Sequence, residues 1–182
     1  MLQSYLQQQT ALITEQTAWD DGRLPLQVTT YLSNTEPPLD YVSSVRAVVF
    51  RGSEVLVVED VQGYHFVVPG GRREAGEVVQ VTLQREIMEE TGWEVRPLRQ
   101  LAVVHYHHLA PRPAGYRYPH PDFLHLIFLA EAEVHRPDFE LQDEWVVHSE
   151  FRPAATALEM VSWEGQRVLL QAALEAMGHR FS

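Results

Sequence analysis

GRREAGEVVQVTLQREIMEETGW, running from Gly71 to Trp93, is the stretch whose reading decides the fold. Glu86, Glu89 and Glu90 stand at relative positions 0, 3 and 4, which a helix stacks on one face. Like charges at that spacing repel by roughly a few tenths of a kcal/mol per exposed pair. A divalent cation turns the same repulsion into a coordination site. Hard ions such as Mg²⁺ take oxygen ligands and keep several waters, so a partial carboxylate shell shared with a phosphate suits them. Gly92 follows the acids where a left-handed glycine would close the helix, and the negative end of the helix dipole would favour a cation nearby. Arg85 is placed to hold a carboxylate in a fixed orientation. Upstream, an apolar run leads into Pro69-Gly70-Gly71. That is a strand–loop–helix unit whose glycines let the backbone come close to an ion or phosphate.

The pattern Gly71-x5-Glu77-x7-Arg85-Glu86-Ile87-x-Glu89-Glu90-x-Gly92-x resembles the signature box of the Nudix hydrolases. All seven fixed Gly, Glu and Arg positions match, Ile87 fills an aliphatic position, and Trp93 stands where the family usually has an aliphatic residue. At ordinary residue frequencies such a match arises by chance about once in 10⁸–10⁹ windows. The plainer reading, a solvated acidic face with an Arg85–Glu89 surface pair, gives way to it. Hydrolysing a diphosphate linkage requires charge neutralisation on the bridging and leaving oxygens and a water made nucleophilic. The resemblance implies that Glu86, Glu89 and Glu90, with the backbone carbonyl of Gly71, hold Mg²⁺ or Mn²⁺. It implies equally that Glu77 and Arg85 fix the loop and orient Glu86, which is also a candidate general base. The base varies among families with this fold. Glu144, with Glu140 and Asp143, is therefore a second candidate for base or fourth ligand, against the reading of a solvated turn.

The activity implied is metal-assisted hydrolysis of a phosphoanhydride bond in a nucleoside diphosphate linked to another moiety. The alternative is a non-catalytic nucleotide-binding or regulatory module on the same fold, which would usually have lost box acids. Isoprenoid diphosphate isomerisation would call for a cysteine, and the chain has none. The box leaves the flanking moiety open, since specificity lies in loops outside it.

With 182 residues, 45% hydrophobic and 21% charged, the chain fits one ordinary globular domain. Its net charge of −11 weighs against sequence-blind binding to nucleic acid, RNA decapping included, or to an anionic membrane. The absence of cysteine rules out disulfides and thiolate metal sites. The start lacks a basic n-region and an apolar h-region, and no apolar run approaches a membrane span. A cytoplasmic enzyme acting on a small nucleotide derivative is the expectation, with homodimerisation open.

Leu2, Tyr5, Leu6, Gln9, Leu12, Ile13 and Gln16 form an imperfect helical stripe that predicts an N-terminal helix ending near Gly22. Residues 24–32 are β-prone, and 34–40, with Pro37-Pro38, read as a loop. Residues 1–43 are thus expected as a helix–strand extension packed on a core of 44–182. In that core, 45–51 and 54–59 flank Gly52-Ser53 as a hairpin, and 65–68 form a third strand. The box helix is expected over 78–91, with Val79, Leu83 and Ile87 as its buried edge. Strands follow at 94–107, 123–134 and 145–147, then closing helices at 153–161 and 164–177. The sum is an α/β protein, an α/β/α sandwich on a mixed sheet, the fold the resemblance also implies.

The thirteen residues 109–121 form a long loop, and such loops are more often functional than decorative. Arg112, Tyr116, Arg117 and Tyr118 within it suit stacking a base and contacting phosphate. A Zn²⁺ site from His105, His107, His108 and His120 is chemically conceivable. Only His105 and His107 would share a strand face, and the others lack metal-type spacing. Hydrogen-bonded or surface histidines are expected instead. Phe66 reads as a core aromatic at a strand end.

Overall fold

The computed structural model describes residues 1–19, 22–116, 119–139 and 145–178. In chain order it contains α1 (Leu2–Leu6), β1 (Thr10–Trp19), β2 (Leu24–Leu32), β3 (Val42–Arg51), β4 (Glu54–Asp60), β5 (His65–Phe66) and β6 (Gly70–Arg72). These are followed by α2 (Val79–Thr91), β7 (Trp93–His108), β8 (Asp122–His135), β9 (Val146–Pro153), α3 (Ala154–Met160) and α4 (Glu164–Met177). Among the described residues the nine strands share one sheet, ordered β1-β2-β7-β8-β3-β4-β5, with β6 on β3 and β9 on β4. The sheet is mixed: β3 runs parallel to β8 while its pairings with β4 and β6 are antiparallel.

Strand alternation divides the apolar residues between two cores. Val45, Ala47 and Val49 of β3 pack with Leu83 and Ile87 of α2 and with Leu2 and Leu6 of α1. Val48 and Phe50, one residue out of phase, pack with Ala157 of α3 and Leu169, Leu170 and Ala173 of α4. Helices cover both faces, which is the sandwich expected.

One edge of β3 serves two partners. Ser44, Val45 and Arg46 pair with Arg72, Gly71 and Gly70, whereas Phe50 and Arg51 pair with Val55 and Glu54. The chain leaves β4 and β5 and rejoins β3 for three residues immediately before the box helix. Gly70 makes this return possible. Its φ is +128°, and a Cβ there would lie 2.4 Å from the Val45 carbonyl oxygen and 2.8 Å from Arg46 Cα. At the other end of α2, Gly92 adopts φ +70° and its N–H bonds the Met88 carbonyl at 2.8 Å, the left-handed closure read from the sequence. Trp93 then stacks on His135 at 4.7 Å and meets Phe151 edge-on at 5.1 Å. The aromatic departure at this box position fills a niche between β8 and β9.

The N-terminus corrects the expectation. The helix stops at Leu6, and Thr10–Trp19 is a strand paired along its length with β2. β1 is an edge strand whose residues are mostly exposed or half-buried, so no apolar alternation marked it. Its β-branched Thr10, Ile13, Thr14 and Thr17 favour the extended state. Likewise β5 ends at Phe66, because Val67 leaves the ladder and donates its N–H to Gln166 Oε1 at 2.9 Å. β9 continues to Pro153 along β4, well past the short strand expected, while Trp145 stays outside it and exposed. Phe66 is half-buried against the core, as read.

Leu83 is completely buried. Leu83→Ala is expected to destabilise the protein by about 2–5 kcal/mol, as large-to-small core changes do, measured by urea unfolding.

Candidate functional site

Arg85 is the hub of the box. Its Nε and Nη2 donate to the two oxygens of Glu77 at 3.0 and 3.1 Å. Nη1 lies 2.8 Å from Glu86 Oε1 and 3.1 Å from Glu89 Oε2. Nη2 also donates to the Arg72 carbonyl at 3.1 Å. A planar guanidinium with five donors is the side chain suited to such a divergent set. Glu77 accepts in addition from Thr82 Oγ1 at 2.7 Å and the Glu74 N–H at 3.2 Å. The hydrogen bonds from Arg85, helped by those from Thr82 and Glu74, outweigh burial and hold the Glu77 carboxyl down at about 2. This clamp ties the loop before α2 to its middle turns. Arg73 also belongs to the scaffold: it donates to the Glu77 and Leu39 carbonyls at 2.9 and 3.3 Å.

Glu86 and Glu90 face the glycine strand β6, while Glu89 reaches Arg85. Glu90 is buried and accepts the Gly70 N–H at 2.7 Å. Glu86 presses into the room left by Gly71: a Cβ there would sit 2.0 Å from Glu86 Oε2. Burial raises the Glu86 carboxyl above its ordinary value, opposed by Arg85 and reinforced by the charge of Glu89. Glu77, Arg85, Glu86, Glu89, Glu90 and Gly71 are therefore brought together, in a set of oxygens that matches the preference of a hard cation.

On the α4 side of the sheet, Arg46 donates to the Val68 carbonyl at 3.1 Å. Its charge reaches Glu86 in one direction and Tyr106 and His125 in the other. Burial first, then Arg46, holds His125 well below the ordinary imidazole value. Tyr106 stacks on Phe123 at 4.7 Å with planes 3° apart, and lies 4.4 Å from His125. Trp19 of β1 joins them at 5.5 and 5.7 Å from the Tyr106 and Phe123 rings. The sequence reading did not single out Arg46, Tyr106 or His125. A signal existed for Arg46, which is the one charge within the apolar run of β3.

In the loop, Arg112 donates through Nε and Nη2 to the Tyr116 carbonyl, at 3.2 and 2.8 Å, and the Tyr116 hydroxyl lies 3.2 Å from His108 Nε2. These bonds run within the loop and its base. Arg117, Tyr118, Glu140, Asp143 and Glu144 lie outside the described residues.

A family model for the NUDIX domain matches residues 40–171. The chain belongs to the Nudix family. The Bacillus subtilis protein YjhB, whose name assigns it provisionally to the ADP-ribose pyrophosphatases, is 34% identical over 76 residues. That match covers 42% of this chain and 36% of the relative's length. Among solved structures, the Bacillus subtilis pyrophosphohydrolase BsRppH superposes with a TM-score of 0.59 at 17% identity, covering 91% of this chain and 96% of that one. The NUDIX domain of Shewanella oneidensis NrtR, complexed with ADP ribose, gives 0.55 at 20% identity, covering 79% and 94%. At these identities the two structures speak for the fold.

Nudix hydrolases generally use divalent metals, and the Nudix box here keeps every acid of its signature. No helix among the described residues is long and apolar enough to cross a membrane.

The clamp has a pH signature. A carboxyl held lower in the folded than in the unfolded state stabilises above the unfolded value, and that contribution disappears as pH falls through the folded one. The stability difference between wild type and Glu77→Gln is thus expected to be full near neutrality and to shrink from about 4.5 down to about 2, followed by denaturant unfolding across that range.

Proposed function

We propose that this Nudix protein hydrolyses a phosphoanhydride bond in a nucleoside diphosphate linked to another moiety. The observation that carries the reading is the convergence of Glu86, Glu89 and Glu90 beside Gly71, with Arg85 holding two of the three. The donor set fits a divalent cation: its side chains are all carboxylates, and the space a Cβ would fill at Gly71 is given to Glu86. Glu86, Glu89, Glu90 and the Gly71 carbonyl would hold Mg²⁺ or Mn²⁺. When bound, such an ion neutralises phosphate charge and makes the attacking water nucleophilic.

Everything else falls to the chain's own groups. Arg85, clamped by Glu77, orients Glu86. The raised carboxyl of Glu86 brings it nearer the range in which a base takes a proton from water; Glu144 is the other candidate for that task. Arg46 stands between the carboxylates and a wall of half-buried rings, where a guanidinium would meet a phosphate. Trp19, the exposed ring of this group, offers an aromatic face on which a base would stack, with Tyr106 and His125 packed behind it. Arg112, Tyr116, Arg117 and Tyr118 are proposed to contact the substrate from the loop.

ADP-ribose, named for YjhB and bound by the NrtR domain, carries this chemistry as a base and a diphosphate joined to a second sugar. In this reading residues 1–43 extend a Nudix domain of 44–182, and Trp19 completes the wall. The retained acids favour hydrolysis over a binding module, and a cytoplasmic nucleotide derivative is the substrate class.

The test is hydrolysis of a panel of phosphoanhydrides, ADP-ribose and nucleotide sugars included, with Mg²⁺ or Mn²⁺, read as phosphate freed from the monophosphate products by an added phosphomonoesterase that leaves the intact substrates untouched. Glu86→Gln and Glu90→Gln are each expected to lower turnover by about 10²–10³-fold, the scale on which one electrostatic stabiliser acts, with unchanged circular dichroism. Wild-type rates in both would contradict the assignment. A panel without turnover but with tight nucleotide binding would favour the binding module.

A further inference from the structure

The histidines on β7 were expected to end in ordinary hydrogen bonds, and two of them share an unusual partner. His105 and His107 are two residues apart on one strand, so their side chains lie on the same face. Asp122, the first residue of β8, is the register partner of His107 on that face. Its Oδ1 lies 2.8 Å from His105 Nε2 and 2.8 Å from His107 Nδ1. The three ligand atoms fall within 4.8 Å of one another. Four-coordinate Zn²⁺ with nitrogen and oxygen bonds of about 2.0–2.2 Å sets its ligands roughly 3.3 Å apart. Widening the two histidine–carboxylate contacts by about half an ångström, and bringing the two imidazole nitrogens from within 4.8 Å to the same separation, would admit the ion.

We propose that His105, His107 and Asp122 form a second metal site that binds one Zn²⁺. Two imidazoles and a carboxylate are a borderline donor set, suited to Zn²⁺ rather than to the hard ions that all-oxygen shells take. The side chains grade outward, 9% exposed for His105, 18% for Asp122 and 41% for His107. His105 closes the inner end of the site, and a water entering from the exposed His107 side would complete the shell. The ligands also flank the long loop. β7 ends at His108 and the chain returns at Asp122, with the His108 N–H bonded to the Pro121 carbonyl at 2.8 Å. An ion held from both strands would staple the base of that loop. The site stands apart from the box, whose acids lie on α2 against β6.

The test uses untagged, chelator-treated full-length protein, with Zn²⁺ titrated against a chromophoric chelator and Co²⁺ followed by visible absorption. A Glu86→Gln/Glu89→Gln/Glu90→Gln variant removes the carboxylates of the box. It is expected to retain one equivalent of Zn²⁺, a Co²⁺ spectrum of four-coordinate type, and a Tm raised by Zn²⁺. In that background His107→Gln, at the exposed position, should keep the metal-free Tm. It should lower Zn²⁺ affinity by at least about 10-fold, since even outer-shell losses weaken sites by that much. Asp122→Asn should do the same. No bound equivalent in the box variant, or equal affinity in both further variants, would overturn the proposal. Because the box is already disabled, these outcomes are independent of the hydrolase reading.

Discussion

Glu86 occupies the space that a side chain at position 71 would need. Its Oε2 lies 2.0 Å from where a Cβ on Gly71 would be built, so only glycine lets the helix and the returning strand come this close. The backbone of β6 is pinned at the required distance by its ladder with Ser44, Val45 and Arg46. From the other side, Leu83 and Ile87 fasten α2 into the core. The fork in β3 and the burial of one helix edge thus exist in the same few residues that gather the acids.

Closeness alone would be costly, because it concentrates negative charge in a half-buried space. Arg85 offsets this by bonding Glu77 with one edge of its guanidinium and reaching Glu86 and Glu89 with another nitrogen. The clamp leaves its mark on Glu77, whose carboxyl is held far down, while Glu86 is still raised by burial. The same cationic side chain that neutralises the helix face therefore leaves one acid incompletely compensated, next to a glycine strand. Arg46, on the opposite face of β3, extends positive charge from there toward the aromatic rings of β7 and β8. Acid, guanidinium and ring follow one another across the sheet, the order in which a cation, a diphosphate and a base would lie.

The box helix was legible nearly to the residue, since its periodic apolar edge and closing glycine are local signals. The sandwich was legible too, from the order of its β-rich runs and its closing helices. The strand β1 was not. Its residues face solvent or half-buried surroundings, and its extended form comes from pairing with β2, a partner no local pattern announces. At the site, spacing brought out the acids, because one helical turn sets them side by side. Arg46 comes within electrostatic reach of Glu86, and Tyr106 packs on His125, only through strands far apart in sequence, and Asp122 joins His105 and His107 only through the β7–β8 register. Such contacts depend on strand pairing, which a motif does not encode.

The central claim is that the three acids of one helical turn and the glycine strand beside them form one site for divalent metal. The most direct measurement is an anomalous difference map from a crystal soaked in Mn²⁺. The account predicts a peak between α2 and β6, bonded to Glu86 and Glu90 at about the 2.0–2.6 Å typical of oxygen-ligated divalent ions. Carboxylates pointing apart, with manganese bound elsewhere and none beside Gly71, would contradict it.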